Sequence, residues 1–291
     1  MRRIVAFILT LLLINPPYSR SEDSYKLGRI VVTPSRLASN RTEMSRSVVV
    51  LDTPALEYSN YNTIPDVLGN IGGIDMRRRG IEGVQADVSI RGTTFEQNMV
   101  MIDGVKIGDP QTGHYNMDIP ITTLDVDRIE VLKGPASSLY GPNSFGGVIN
   151  IITIKPKGLG AVIKAEGGSF DYFNGGLAIS SPVTEGINNR FCLERTSSSG
   201  YMSETEFDIL SLSDSILLET PYGVCDFLFG YTKKDFGADS FYSNLYSNEE
   251  EHTDTRFFKL EGDISYGSLK VIPKLYLKRH WDKFALDINK P

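Results

Sequence analysis

The chain has 291 residues, of which 41% are hydrophobic and 10% aromatic, and this excludes a wholly disordered polypeptide. Thirty Lys and Arg stand against 36 Asp and Glu, a formal net charge of −6. Without residues 1–21, which hold Arg2, Arg3 and Arg20 and no acid, 27 bases face 36 acids, a charge of −9 that excludes a nucleic-acid partner in need of a basic surface.

In chain order, Arg2 and Arg3 precede an apolar run from Ile4 to Ile14 that ends at Asn15-Pro16-Pro17. The run is too short to span a bilayer and reads as an export signal over residues 1–21, with Ser19 and Ser21 flanking the cleavage point. Residues 22–46 are polar apart from Ile30-Val31-Val32, a β-branched patch followed by Pro34 that could add as an edge strand to another protein's sheet or pack on its own domain.

From Ser47 to Lys157, apolar runs at Val48–Leu51, Asp87–Arg91, Met99–Asp103, Arg128–Leu132 and Val148–Ile154 predict one small mixed sheet. Thr63 with Ile64, Val67 and Leu68 predicts a capped helical turn or two, and Pro135–Tyr140 a second short helix stopped at Gly141. Gly134, Gly141, Gly146 and Gly147 suit tight turns and close backbone approach, and a phosphate loop is excluded because the Lys-Ser/Thr ending is missing.

Beyond Gly158 the pattern becomes alternating strands of about ten residues: 161–169, 172–180, 190–198, 207–219, 222–232, 255–265 and 268–280. In the last, Val271, Pro273, Leu275 and Leu277 share one face while Lys270, Lys274 and Lys278 share the other. Short turns at Thr220-Pro221 and Tyr266-Gly267 against the long connection Lys233–Asp254 suit a barrel with two different rims, although a soluble sandwich would alternate similarly. Cys192 and Cys225 fall on strands that are not neighbours, roughly 10 Å apart, beyond disulfide reach. His114, His252 and His280 stand apart with no nucleophile or metal-ligand spacing, so no enzyme is expected.

The segment 127–153, DRIEVLKGPASSLYGPNSFGGVINIIT, closely resembles the plug signature of TonB-dependent outer-membrane receptors. Val88-Ser89-Ile90-Arg91-Gly92 and Val100-Met101-Ile102-Asp103-Gly104-Val105 resemble two further stations of that plug, in the family's order. The cobalamin and iron-siderophore branches look nearest. The resemblance implies an α+β plug, a small mixed sheet with short helices over 47–157, followed by the first strands of an antiparallel transmembrane β-barrel over 158–291. Arg29, Ile30, Val31, Val32 and Thr33, with Pro34, look like the box that lends a strand to TonB. It further implies the outer membrane as location, lipid around the wall, and a small-molecule or metal-chelate cargo. The expected activity is energised import; a sensing receptor that passes no cargo is the alternative.

The resemblance also allows plug charges, here Arg91, Arg128, Glu130 and Lys133, to hold the plug against the wall. Outward plug loops at 77–84 and 111–116 would meet cargo through Arg77, Arg78, Arg79, Gln111, His114 and Tyr115, joined by Phe241 and Tyr242 of the long wall loop. No cofactor is expected, though Asp235, Asp239 and Glu249-Glu250-Glu251 could hold calcium. Plugged barrels use 22 strands and about 134 residues follow Lys157, so the chain is expected to be part of a longer protein, or an inactive fragment of one.

Overall fold

The computed structural model describes residues 47–53, 62–81, 84–239, 241, 248–266 and 269–286, and the backbone pairing of 30–31 with 39–40. The export-signal reading therefore lies outside the described residues. The first pairing joins β1 (Ile30–Val31) antiparallel to β2 (Ser39–Asn40), with Ile30 opposite Asn40.

The mixed-sheet domain contains β3 (Ser47–Asp52), β4 (Ile74–Arg79), β5 (Gln85–Ile90), β6 (Asn98–Ile102), β7 (Val105–Lys106), β8 (Val126–Lys133) and β9 (Gly147–Thr153). Five of them form one sheet in the order β3-β8-β9-β6-β7, in which β6 runs parallel to β9 and the other pairs are antiparallel. β5, expected in that sheet, instead closes a separate hairpin with β4, because Ile74 to Arg79 pairs residue for residue with Ile90 to Gln85. Helix α1 (Ile64–Gly69) is capped by Thr63, whose hydroxyl accepts from the Asp66 amide. Helix α2 (Ser137–Tyr140) starts two residues after Pro135, with Ala136 at its cap.

The second region is an antiparallel wall of β10 (Gly160–Gly167), β11 (Phe173–Thr184), β12 (Ile187–Ser198), β13 (Phe207–Thr220), β14 (Gly223–Gly237), β15 (Glu250–Tyr266), β16 (Leu269–Val271) and β17 (Lys274–Ala285). Each strand pairs with the next along the chain through β15, in up-and-down order. β16 and β17 both pair with β15 and keep one register, since Val271 opposes Ile264 and Lys274 opposes Glu261. They are the single expected strand interrupted at Ile272-Pro273, where proline offers no amide to the ladder. The connection between the strands expected at 172–180 and 190–198 shrinks to a tight turn at Glu185-Gly186, with Gly186 at φ 75°. One rim thus carries only short turns, after β11, β13 and β15. The other carries the longer connections 199–206 and 238–249.

Burial alternates along the wall. On β14, Asp226, Leu228, Thr232, Lys234 and Phe236 face inward and are buried, while Phe229 on the other face is exposed. Leu228 and Phe257 of the wall join the same apolar core as Ile119, Ile121, Val126 and Ile129, so the mixed-sheet domain sits against the inner face. A second contact lies at the long-connection rim, where Val84 packs with Phe207, Phe236 and Ala238. Among the described residues no helix is long and apolar enough to cross a membrane, which says nothing of strands. Cys192 and Cys225 are unpaired, as their separation across β13 predicts.

Candidate functional site

The site is the seam between the mixed-sheet domain and the inner wall, and carboxylates of the domain organise it. Asp103 occupies the turn after β6 at φ 49°, the left-handed region that a short polar side chain tolerates. Its oxygens accept from the amide and hydroxyl of Thr153 at 2.9 and 2.8 Å, fixing the carboxylate beside β9. Lys155 and the wall residue Lys259 then reach it at 2.8 and 2.7 Å, and both also bind Asp226 of β14, at 2.6 and 2.7 Å. The Lys259 side chain is 0% exposed, so its charge is viable only because Asp103, Asp226 and, at 3.5 Å, Glu261 surround it. Lys274 donates to the Asp103 carbonyl at 3.0 Å and adds Glu261 to the network.

Burial alone would push the Asp103 carboxyl up, but Lys155 and Lys259 overcome that and hold it well below the usual carboxylate range. Burial likewise works against the Lys155 charge, and Asp103 and Asp226 lift it above the ordinary lysine value.

Four further contacts cross the seam. Asp125 accepts from Arg190 of β12 at 3.0 Å, and the same guanidinium donates to the Leu124 carbonyl and to Ser180. Here burial dominates and pushes the Asp125 carboxyl up to about 6, against the pull of Ser213 and Arg190. The Thr123 amide and hydroxyl both donate to Glu194 at 2.8 Å. Asp118 meets the buried Lys234 of β14 at 2.6 Å, and Lys234 also donates to the Val84 carbonyl. Lys278 of β17 donates to the Ile107 carbonyl. Packing is equally close: a Cβ on Gly230 would lie 1.9 Å from the Pro120 carbonyl oxygen, so only glycine lets the domain's backbone lie on the wall there.

The residues expected to form this lock bond elsewhere. Arg128 pairs with Asp127 at 2.7 Å and with Glu130 at 2.9 Å, because positions i and i+2 of β8 share a face. Lys133 donates to the Gly72 carbonyl, and Arg91 sits in the exposed turn after β5 with its amide on Gly73. All of these bonds stay within the mixed-sheet domain. Asp103–Lys259, Asp125–Arg190 and Asp118–Lys234 cross the seam with the acid on the domain and the base on the wall, and Lys155–Asp226 crosses it in the reverse sense. The missed signal is a charged residue at the inward parity of an alternating strand: Arg190 and Glu194 flank Cys192, and Lys259 follows Phe257.

The residues expected to meet cargo are partly brought together. Arg77, Arg78 and Arg79 lie on β4 and not in a loop, with Arg77 bonded to Asp75 and Arg78 to Asp66. His114 bonds Asp87 at 2.8 Å and stacks on Phe95, while Tyr115 is buried against His280 of β17. A cavity of about 230 Å³ is lined by Thr112, His114, Tyr115 and Phe284. Gln111 belongs to the same turn, its amide donating to Asp109. Phe241 packs at Phe236, and Tyr242 lies outside the described residues, as do Arg29, Val32 and Thr33. Of the acids considered for calcium, Asp235 is held by Lys233 and His252, and Glu249 accepts from the Phe241 amide. The carboxylates that converge are Glu204, Glu206 and Glu250, within 4.8 Å of one another.

Comparison with known proteins places this geometry. Residues 40–148 match the model of the TonB-dependent Receptor Plug Domain. A vitamin B12 transporter, BtuB of Vibrio cholerae serotype O1, is 30% identical over 199 residues, 68% of this chain and 32% of the relative. BtuB of Vibrio vulnificus is 23% identical over 303 residues, 98% of this chain and 48% of the relative. The alcaligin outer membrane receptor FauA from Bordetella pertussis shares the fold at a TM-score of 0.68 and 18% identity, covering 87% of this chain and 42% of its own. The ferripyoverdine receptor of the Pseudomonas aeruginosa outer membrane does so at 0.69 and 22%, covering 88% and 37%. The chain spans about a third to a half of the length of these curated relatives.

Proposed function

Because the chain belongs to the TonB-dependent receptor family, we propose that it forms the plug and first wall strands of an outer-membrane importer for a scarce nutrient of the cobalamin or iron-siderophore class. In this reading residues 1–21 direct export, 22–46 form a periplasmic arm with its coupling segment at 29–34, 47–157 are the plug and 158–291 part of the barrel. The observation that carries it is the charged seam. A domain held in a lumen by a few buried ion pairs and apolar contacts, and not by a hydrogen-bonded sheet continuous with the wall, is firmly seated at rest and yet removable by force on one strand.

Cargo would meet the plug through the His114 and Tyr115 turn, with Phe284 opposite. Ile30 and Val31 already adopt strand backbone, as a segment that pairs with TonB requires.

The test is uptake by cells expressing the full-length gene, with labelled cobalamin compared with ferric siderophores. Accumulation of one class is expected, and Ile30→Pro should abolish it while leaving surface binding intact, because proline removes an amide from the donated strand. Accumulation unchanged in Ile30→Pro would exclude strand donation by this arm, and accumulation of neither class would exclude the cargo assignment.

A further inference from the structure

The outward face of the wall changes character along one line. Cross-strand partners on β14, β15 and β17 form rows, of which Phe227, Leu260 and Leu275 make one and Phe229, Phe258 and Leu277 the next. Two residues further towards the long-connection rim the row is Tyr231, Arg256 and Arg279, then Lys233, Asp254 and Trp281, then Asp235, His252 and Lys283. These three rows hold four cations, Arg256, Arg279, Lys233 and Lys283, against two carboxylates, Asp235 and Asp254.

Arg256 and Arg279 are direct cross-strand partners, an arrangement of like charges that destabilises a sheet. Both guanidinium groups lie over the ring of Trp281, at 4.9 and 3.9 Å. Arg256, its side chain 55% exposed, donates to Asp254 twice, from Nε at 3.1 Å and from Nη2 at 3.4 Å. Both forks contact one ring from paired positions on the outward face of neighbouring strands, and guanidinium groups bind a phosphate with several parallel bonds.

The height of this pair is informative. From Ile264, an outward apolar residue of β15 near the short-turn rim, to Arg256 is eight residues. At about 3.4 Å per residue and a tilt of about 40° that is about 20 Å along the membrane normal, close to the roughly 25 Å apolar band of such barrels. The arginines therefore stand where acyl chains give way to headgroups.

We propose that Arg256 and Arg279, framed by Trp281, clamp the phosphate of an anionic lipid headgroup in the leaflet on the long-connection side. The inference rests on the reading that this wall spans a bilayer. Asp254 neutralises one of the two opposed guanidinium charges and the phosphate supplies the counter-charge for the pair's excess, while the acyl chains lie on Phe229, Phe258 and Leu277 below.

The test uses the full-length protein in mild detergent, with retained lipid counted by native mass spectrometry. Dioleoyl phosphatidate, dioleoyl phosphatidylcholine and inorganic phosphate are the probes. The wild type should retain phosphatidate about tenfold more tightly than phosphatidylcholine. The Arg256→Gln/Arg279→Gln double variant should lose that preference but keep weak retention of both lipids. Arg195→Gln, which alters an outward arginine bonded twice to Asp208, should leave the preference unchanged. Heat-dependent gel mobility checks that each barrel is folded.

Equal preference in the wild type and the double variant overturns the clamp while leaving the barrel reading intact. Competition by inorganic phosphate as effective as that by phosphatidate shows a free-anion site and also overturns it. Failure of the folded protein to insert into liposomes removes the membrane reading and the clamp with it.

Discussion

Asp103 and Asp125 serve the same seam with opposite dependence on protons. The carboxyl of Asp103 is held below its ordinary range by Lys155 and Lys259, so its stabilisation is complete at neutral pH and is lost only when pH falls below that range. For Asp125, burial raises the carboxyl to about 6, so the seated plug takes up a proton that the released plug would not. Its contribution is therefore greatest below the ordinary carboxylate value and is lost as pH rises through about 6. Thermal melting of the folded full-length protein between pH 8 and pH 5 should show the plug gaining stability on acidification, and Asp125→Asn should flatten that slope. Asp103→Asn should leave the slope and lower stability throughout by about 3–5 kcal/mol, because Lys155 would then depend on Asp226 and Lys259 on Asp226 and the more distant Glu261. A slope that survives in Asp125→Asn would assign the proton to another group.

At the scale of elements, β14 is the strand on which the plug rests. It contributes Asp226, Leu228, Lys234 and Phe236 to the seam and, between them, Gly230 under Pro120. Gly230→Ala adds one carbon where there is no room, at a cost of about 1–3 kcal/mol or more. The wall should still form, since its ladder to β13 and β15 is untouched, while the plug becomes sensitive to limited proteolysis. A plug as resistant as the wild type would mean that the wall and the Pro120 turn yield easily at this point.

Strand periodicity made β10 to β17 legible, including the inward Lys274 and Lys278. The break at Pro273 and the separate β4–β5 hairpin were not, because pairing partners are a long-range property that a local pattern does not encode. The contacts that cross the seam were not legible for a related reason. Arg128 and Glu130 look costly in a strand until it is known that they neutralise each other, whereas the partner of Asp103 lies 156 residues further along the chain.

At the scale of the whole molecule, the family was legible because its plug segments are long and ordered along the chain. Cargo was not, because side chains from distant turns and strands make up a cavity such as the one that His114, Tyr115 and Phe284 line. The two cysteines, unbonded and two strands apart, acquire a use from their placement. Cys192 points inward and is wholly buried, with Thr122 and Asp125 of the plug beside it, whereas Cys225 lies on the opposite face of its strand from Asp226. A water-soluble maleimide should therefore label Cys192 only while the plug is displaced. In cells expressing the full-length protein with Cys225→Ser, labelling should rise when cargo and energy are supplied together and fall to background without either. Labelling that ignores both would mean that the thiol is reached with the plug in place. The native sequence thus already carries a chemical clock for how often the lumen empties.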